Sequence, residues 1–304
     1  PVYFIAICLK LILFKISHRN ICTRICVRSF NLRSLLSEQG KFKKHLNIFT
    51  NRNSGPKGAG SATYYLKKLL TMVLKLYAVS DGPPSLSVRQ ALKYLDVPFE
   101  LINVDYGRGE HMTPEYAQMN PQKEIPVLDD EGFFLSESNA ILQYICDSYK
   151  PTSDLYPQDP KLRAIVNHRL CFNLSTYYAN ISAYTMAPIF FDYKRTDLGL
   201  KKVTMALEVF ETYLKKLGTS HVASNHLTIA DFPLFNSTMT LEAINYDFSK
   251  YTKIYNWYNN FKKNYPELWK ISKDAMTEIQ YFAENPPDLS NLNHPIHPIR
   301  KINK

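Results

Sequence analysis

Acidic residues are nearly missing from the first 71 positions, which hold 13 Lys and Arg against a single acid, Glu38. Of the chain's 37 basic and 27 acidic residues, 24 and 26 are therefore left for positions 72–304. The formal charge of +10 is a property of the leader, and the body stands at −2. A nucleic-acid or translation-factor role, which +10 alone would suggest, is disfavoured for the body. Cysteine is also scarce: Cys8, Cys22 and Cys26 lie in the leader, Cys146 and Cys171 in the body. Two body cysteines make neither a disulfide framework nor a zinc spacing, so a reducing compartment is the default. Both fall within apolar helical patterns and read as buried core thiols. The pair His294 and His297 has no further ligands converging on it, and no metal is expected.

A long apolar run is absent too. Residues 2–16 are interrupted by Lys10 and Lys15, too short and too charged for a membrane span, and no stable membrane association of the body is expected. The leader, residues 1–71, has three readings. Arg19, Arg24, Arg28 and Arg33 among Ser and Asn suit a mitochondrial presequence. The apolar run suits a signal anchor. Met72-Val73-Leu74-Lys75 looks like a natural protein start, which suits upstream sequence joined to the frame. In each case the leader is non-globular and stands outside the fold.

What is present in the body is periodic. Leu74–Val79 reads as a strand, Asp81-Gly82-Pro83-Pro84 as a turn, and Leu86, Val88, Leu92 and Leu95 as a helix face. Phe99–Val104 is a second strand, so the opening is β-α-β with parallel pairing. A short helix starts near Pro114. Pro126-Val127-Leu128 and Phe133-Phe134-Leu135 flank a hairpin turn at residues 129–132, and Ser136–Tyr149 is helical. The order βαβ then ββα is thioredoxin-like, over residues 72–150. After a Pro-containing linker, residues 159–283 read as helices alone: Pro160–Tyr184, Leu198–Leu217, Thr228–Ile244, Lys250–Asn264 and Pro266–Phe282. Thr228-Ile229-Ala230-Asp231 opens one with a hydroxyl at N-cap and a carboxylate at N3. Residues 284–304 are a Pro- and Asn-rich tail expected to run extended over the surface.

A thioredoxin-like half joined to an all-helical half resembles the glutathione transferase family. The resemblance is carried by Asn120-Pro121-Gln122-Lys123-Glu124-Ile125-Pro126-Val127-Leu128, by Glu137-Ser138-Asn139-Ala140-Ile141-Leu142 and by Thr228-Ile229-Ala230-Asp231, and covers about residues 73–283. Leu76-Tyr77, Pro83-Pro84 and the segment His111 to Tyr116 are most similar to the insect delta and epsilon classes. Asp81-Gly82-Pro83-Pro84-Ser85 points to the unclassified insect class beside them.

The resemblance implies a cytoplasmic homodimer, mitochondrial if the leader is genuine. It would conjugate the glutathione thiolate to hydrophobic electrophiles in xenobiotic or insecticide detoxification, with glutathione as co-substrate. Glu137 would take the γ-glutamyl ammonium, and Ser138 with the amides that follow it the carboxylate. Pro126 would be cis, exposing the backbone of Ile125 to the cysteinyl part. His111 and Lys123 would lie around the glycyl carboxylate.

A free thiol titrates near 8.5, so a hydroxyl donor must stabilise the thiolate; two units are worth about 2.7 kcal/mol. In the delta and epsilon pattern a serine does this, and Gly82 stands at its position. Ser85 and Ser80 are the nearest substitutes, with Tyr77 more distant, and Ser85 is favoured by its place at a helix start. The apolar electrophile would lie against Tyr178, Met186, Ile189, Phe190 and Phe282, with Pro84 as floor near sulfur. Two rivals use the same site: a carrier of glutathione or hydrophobic ligands with little turnover, and a glutathione-dependent isomerase or peroxidase.

Overall fold

The computed structural model describes residues 73–292 and 294–300, and the expectations for the leader lie outside them. Strand β1 (Leu74–Ala78) buries Leu74, Leu76 and Ala78 and turns its alternate residues outward. Helix α1 (Pro83–Tyr94) opens on two prolines, which lack the amides a helix start leaves unpaired anyway. Strand β2 (Phe99–Asn103) returns parallel to β1, with Leu76 opposite Leu101. A 3-10 turn (Glu110–Met112) leads into α2 (Pro114–Met119), capped by the Thr113 hydroxyl accepting from Tyr116 N–H at 3.2 Å. Strands β3 (Val127–Asp130) and β4 (Phe133–Leu135) form the hairpin, and β3 runs antiparallel to β1. The sheet order is β2-β1-β3-β4. Helix α3 (Ser138–Tyr149) packs beside α1, completing the thioredoxin-like half.

The second half is helical. Helix α4 (Pro160–Phe172), capped by Asp159, runs into a single wide π-helical turn (Asn173–Tyr177) and on into α5 (Tyr178–Thr185). The one long helix expected over 160–184 is thus two helices sharing a widened turn, a place where an extra residue shifts side chains around the axis. There follow α6 (Ala187–Phe190), α7 (Asp197–Leu217), α8 (Asp231–Ala243), α9 (Thr252–Asn264) and α10 (Pro266–Glu284). Among the described residues no helix is long and apolar enough to cross a membrane.

Helix α8 is the axis of this half and is buried nearly all round. Its start differs from the sequence expectation: the helix begins at Asp231, not at Thr228. The Thr228 hydroxyl donates to the Asp231 carboxylate at 2.9 Å instead of accepting an amide. The carboxylate also accepts from the N–H groups of Thr228 and Val222 and from Trp257 Nε1. Four donors compensate the burial of this carboxyl, which raises its pKa above the ordinary aspartate value.

A polar network in the apolar seam joins the halves. Asn236 Nδ2 donates to Ser87 Oγ and Gln90 Oε1, Gln90 Nε2 donates to Ser272 Oγ, and Ser272 Oγ donates to Asn236 Oδ1. Every link lies between 2.7 and 3.1 Å, so α1, α8 and α10 are held in one register.

Two other expectations change. Cys146 is buried, and burial pushes its thiol up to about 12, but Cys171 is exposed on the outer face of α4. The tail does not merely run over the surface: Leu289 and Leu292 are buried against Phe191.

Candidate active site

The β1–α1 turn, the Ile125–Pro126 corner, the start of α3 and the α4–α5 junction converge on a cavity of about 140 Å³. The Ile125–Pro126 peptide is cis, as expected. Just before it, the Glu124 carbonyl is held by Tyr116 Oη at 3.1 Å and Asn120 Nδ2 at 2.9 Å. Those bonds fix the corner just before Ile125, which lines the cavity together with Glu124 and Pro126.

Glu137 sits at φ 64°, ψ 103°, immediately before α3, and no side chain caps that helix. A left-handed backbone at a non-glycine residue is uncommon and marks a position held by its surroundings. Its effect here is to put the exposed Glu137 carboxylate and the Ser138 hydroxyl beside the uncapped amides of α3, all at the cavity. The arrangement offers an anion site and a cation site side by side, the pattern an α-amino acid terminus needs.

Of the fourteen residues singled out in the sequence, six line this cavity: Pro84, Ile125, Pro126, Glu137, Ser138 and Tyr178. Burial, then Asp81 and Glu124, raises the Tyr178 phenol, so it stays protonated and able to donate at neutral pH.

The other eight lie elsewhere. Ser85 is buried, and its Oγ accepts from Val79 N–H at 3.4 Å. Ser80 is exposed and donates to Glu278 Oε1 at 3.0 Å. The alternative, Tyr77, is half-buried against the cluster formed by Val104, Tyr116 and Val127. His111 is 3% exposed, stacked on Tyr106 at 4.3 Å, and both ring nitrogens lack a partner. Burial, then His294 and Lys123, lowers its pKa to about 4. Lys123 is half-exposed at φ 59°. Ile189 belongs to the main core and Met186, Phe190 and Phe282 are half-buried against it, with Phe190 and Phe282 edge-to-face at 5.6 Å.

Sequence reasoning missed Asn139, Asn173, Pro233 and Ser237 on the cavity wall. Ser237 comes from α8, whose uniform burial leaves no periodic signal to show which residues face a cavity. It missed Asp81 as well, whose carboxyl is raised to about 6, first by burial and then by Glu278. The turn of which it forms part was visible, but not the approach of α10.

Residues 72–147 match the glutathione S-transferase N-terminal domain, and residues 177–263 the C-terminal domain of the same proteins. This chain belongs to the glutathione S-transferase family.

Solved structures agree. A diazinon-metabolizing glutathione S-transferase of the silkworm Bombyx mori is 77% identical, with a TM-score of 0.66, over 69% of this chain and 100% of that one. A delta-class glutathione transferase of Nilaparvata lugens is 34% identical, also at 0.66, over 70% and 100%. The silkworm glutathione S-transferase unclassified 2 is 28% identical at 0.63, over 70% and 98%. The class affinity read from the β1–α1 turn is therefore that of the structural neighbours. The chain is a glutathione transferase, an enzyme whose family uses glutathione as co-substrate.

Proposed function

We propose that this transferase binds the γ-glutamyl end of glutathione at the start of α3 and conjugates its thiolate to hydrophobic xenobiotics, insecticides among them. The observation that carries the reading is the uncapped α3 N-terminus opening on the same cavity as Ile125 and Pro84. Glu137 holds the ammonium, Ser138 with the α3 amides holds the carboxylate, and Ile125 pairs with the cysteinyl backbone. This lays the thiol toward the start of α1.

Thiol activation is a matter of which donor reaches sulfur. Pro83 and Pro84 have no N–H, and the Leu86 amide is spent on the Gly82 carbonyl at 3.0 Å. The Ser85 amide is then the first N–H the positive end of α1 presents to an anion. It supports the thiolate in place of a side-chain hydroxyl at Gly82. The thiolate attacks the electrophilic carbon, a C–S bond forms, and the leaving group departs as an anion.

Identity of 77% with a diazinon-metabolizing relative supports the substrate class. We further propose a cytoplasmic homodimer, following the family. The test is turnover of chlorodinitrobenzene with glutathione, beside Ser80→Ala and Ser85→Ala. Turnover retained in both variants supports the amide; loss in one, with glutathione affinity kept, assigns the hydroxyl instead.

The carrier reading keeps one specific support: neither serine hydroxyl is on the cavity wall. Tight glutathione binding without turnover of several electrophiles would favour it.

A further inference from the structure

Helix α10 ends at Glu284, and the chain then turns back across the molecule. Leu289 and Leu292 are buried with Phe191 from the end of α6. Half-buried around them are Tyr106 and Met112, from the loop after β2 in the thioredoxin-like half, and Phe190. Leu292 Cδ2 would lie 3.1 Å from a Cβ at Gly109, so the strand of chain sits directly on that loop.

Further on, the Asp192 amide donates to the Pro298 carbonyl at 2.9 Å, and His297 stacks on Phe191 at 4.2 Å. Arg300 completes the attachment, its Nη2 donating to the carbonyls of Pro188 at 2.7 Å and Phe191 at 3.1 Å, its Nη1 to that of Ile189 at 3.2 Å. Those carbonyls end a helix, where the backbone has acceptors to spare and a cation is favoured. A planar guanidinium can reach all of them together, which an ammonium cannot.

The tail thus touches both halves on the side where Phe190 lies. Phe190 packs both on Phe282 and on the cluster that holds Leu289 and Leu292. We propose that residues 285–292 and 294–300 belong to a strap latched by Arg300, and that Leu289 and Leu292 form a wall of the electrophile site, setting the largest electrophile it accepts. This rests on the proposed function and on the electrophile lying against Phe190 and Phe282, as the resemblance implies, but the strap itself is visible without either.

The experiment compares the full chain with Arg300→Ala and Leu292→Ser. Glutathione is supplied with chlorodinitrobenzene as the small electrophile and bromomethylanthracene as the bulky one. Exchange of the Asp192 amide is followed in parallel. The expected result is faster Asp192 exchange in Arg300→Ala, a ratio of bulky- to small-substrate kcat/KM raised about fivefold or more in both variants, and small-substrate kcat/KM within about twofold in Arg300→Ala.

An unchanged ratio of bulky to small substrate in both variants overturns the proposal, as does an Asp192 amide that exchanges freely in the unaltered protein. If the unaltered protein turns over neither electrophile, the proposed function fails, and the wall is read by binding of anilinonaphthalene sulfonate. Affinity raised about fivefold in the variants then supports it, and unchanged affinity overturns it.

Discussion

The cavity beside Ile125 and Glu137, proposed to hold glutathione, and the apolar region of Ile189, Phe190 and Phe282, proposed to hold the electrophile, are built on opposite plans. At the proposed glutathione end polar groups stand ready: the α3 amides without a side-chain cap, Glu137 exposed at an unfavourable φ, and Ile125 on the cavity wall. At the proposed electrophile end little is left open, with Ile189 buried, Phe190 on Phe282, and the tail packed on Phe190 and Phe191. A charged tripeptide is recognised by directional groups that must be in place beforehand. An apolar electrophile needs only volume and adaptable side chains, and those can pack on one another until it arrives. One end therefore reads as a motif in the sequence and the other only as a composition.

Both ends stand on α8, and the largest expected effect is to remove what starts it. Asp231→Ala leaves the amides of Thr228 and Val222 and the indole of Trp257 without their buried acceptor. At about 1–3 kcal/mol for each orphaned group, the loss is on the order of 4 kcal/mol. Urea unfolding measures it. A loss below about 1 kcal/mol would mean the helical half does not depend on this carboxylate, and that both ends rest on something else.

Glu137→Ala separates the two ends. Losing a charge-assisted contact to the ammonium is worth about 2 kcal/mol, so the KM for glutathione rises about thirtyfold while the KM for the electrophile stays within about twofold. Initial-rate kinetics with each substrate varied in turn decides it. Equal rises in both would erase the division between the ends.

How much of this could be read beforehand follows the same division. Glu137, Ser138, Ile125 and Pro126 could be singled out because the segments that carry them resemble a known family's motifs, and all four line the cavity, with Pro126 cis. The order of the elements was plain as well, since alternating Leu74, Leu76 and Ala78 and the Asp-Glu-Gly hairpin carry their own periods, whereas the antiparallel pairing of β1 with β3 has no local signal. His111 was expected near the glycyl carboxylate but is buried and stacked on Tyr106, and the tail that packs on Tyr106 and Met112 comes from about 180 residues later in the chain and has no local signature. The start of α8 was misplaced for a related reason. Thr228 and Asp231 have the right spacing for a reciprocal cap, but Trp257 and Val222 compete for the carboxylate from elsewhere in the fold.

His111 supplies a pH test of the boundary between the ends. Its imidazole titrates near 6.5 unfolded and about 4 folded. A base with a lowered folded pKa contributes stability that is complete above 6.5 and is lost as pH falls from 6.5 toward 4. Between pH 7.5 and 5 that loss is about 2 kcal/mol. Asp81 acts in the opposite sense: its carboxyl is raised to about 6, so stability increases as pH falls through 6. Comparing unaltered protein with His111→Phe cancels Asp81 and isolates the imidazole, and the variant is expected to lose about 2 kcal/mol less on acidification. Saturating glutathione should shrink the loss in the unaltered protein if the glycyl carboxylate reaches this ring. An unchanged loss would leave His111 as a core residue of the strapped end.

The smallest expected effect lies where the two ends meet, at Gly82. A Cβ there would approach Val79 Cγ2 to 2.7 Å, too close without movement of Val79, and Ser85 Oγ to 3.7 Å. Gly82→Ser alone is therefore expected to cost about 1–2 kcal/mol of stability through overpacking. Val79→Ala removes the obstructing methyl, so the double variant should recover most of that loss. It would also place a hydroxyl in the turn that faces the thiol, beside the Ser85 amide. One added donor worth about one pKa unit lowers the thiol correspondingly and, near neutral pH, raises the thiolate fraction and kcat by up to about tenfold. The thiol's titration followed by ultraviolet absorbance, with turnover beside it, separates the outcomes. A lower thiol pKa with faster turnover shows that the helix end alone leaves activation incomplete. An unchanged pKa in a stable double variant shows that the amide and the positive end of α1 already supply it, so that Gly82 with Val79 is a complete alternative to a serine.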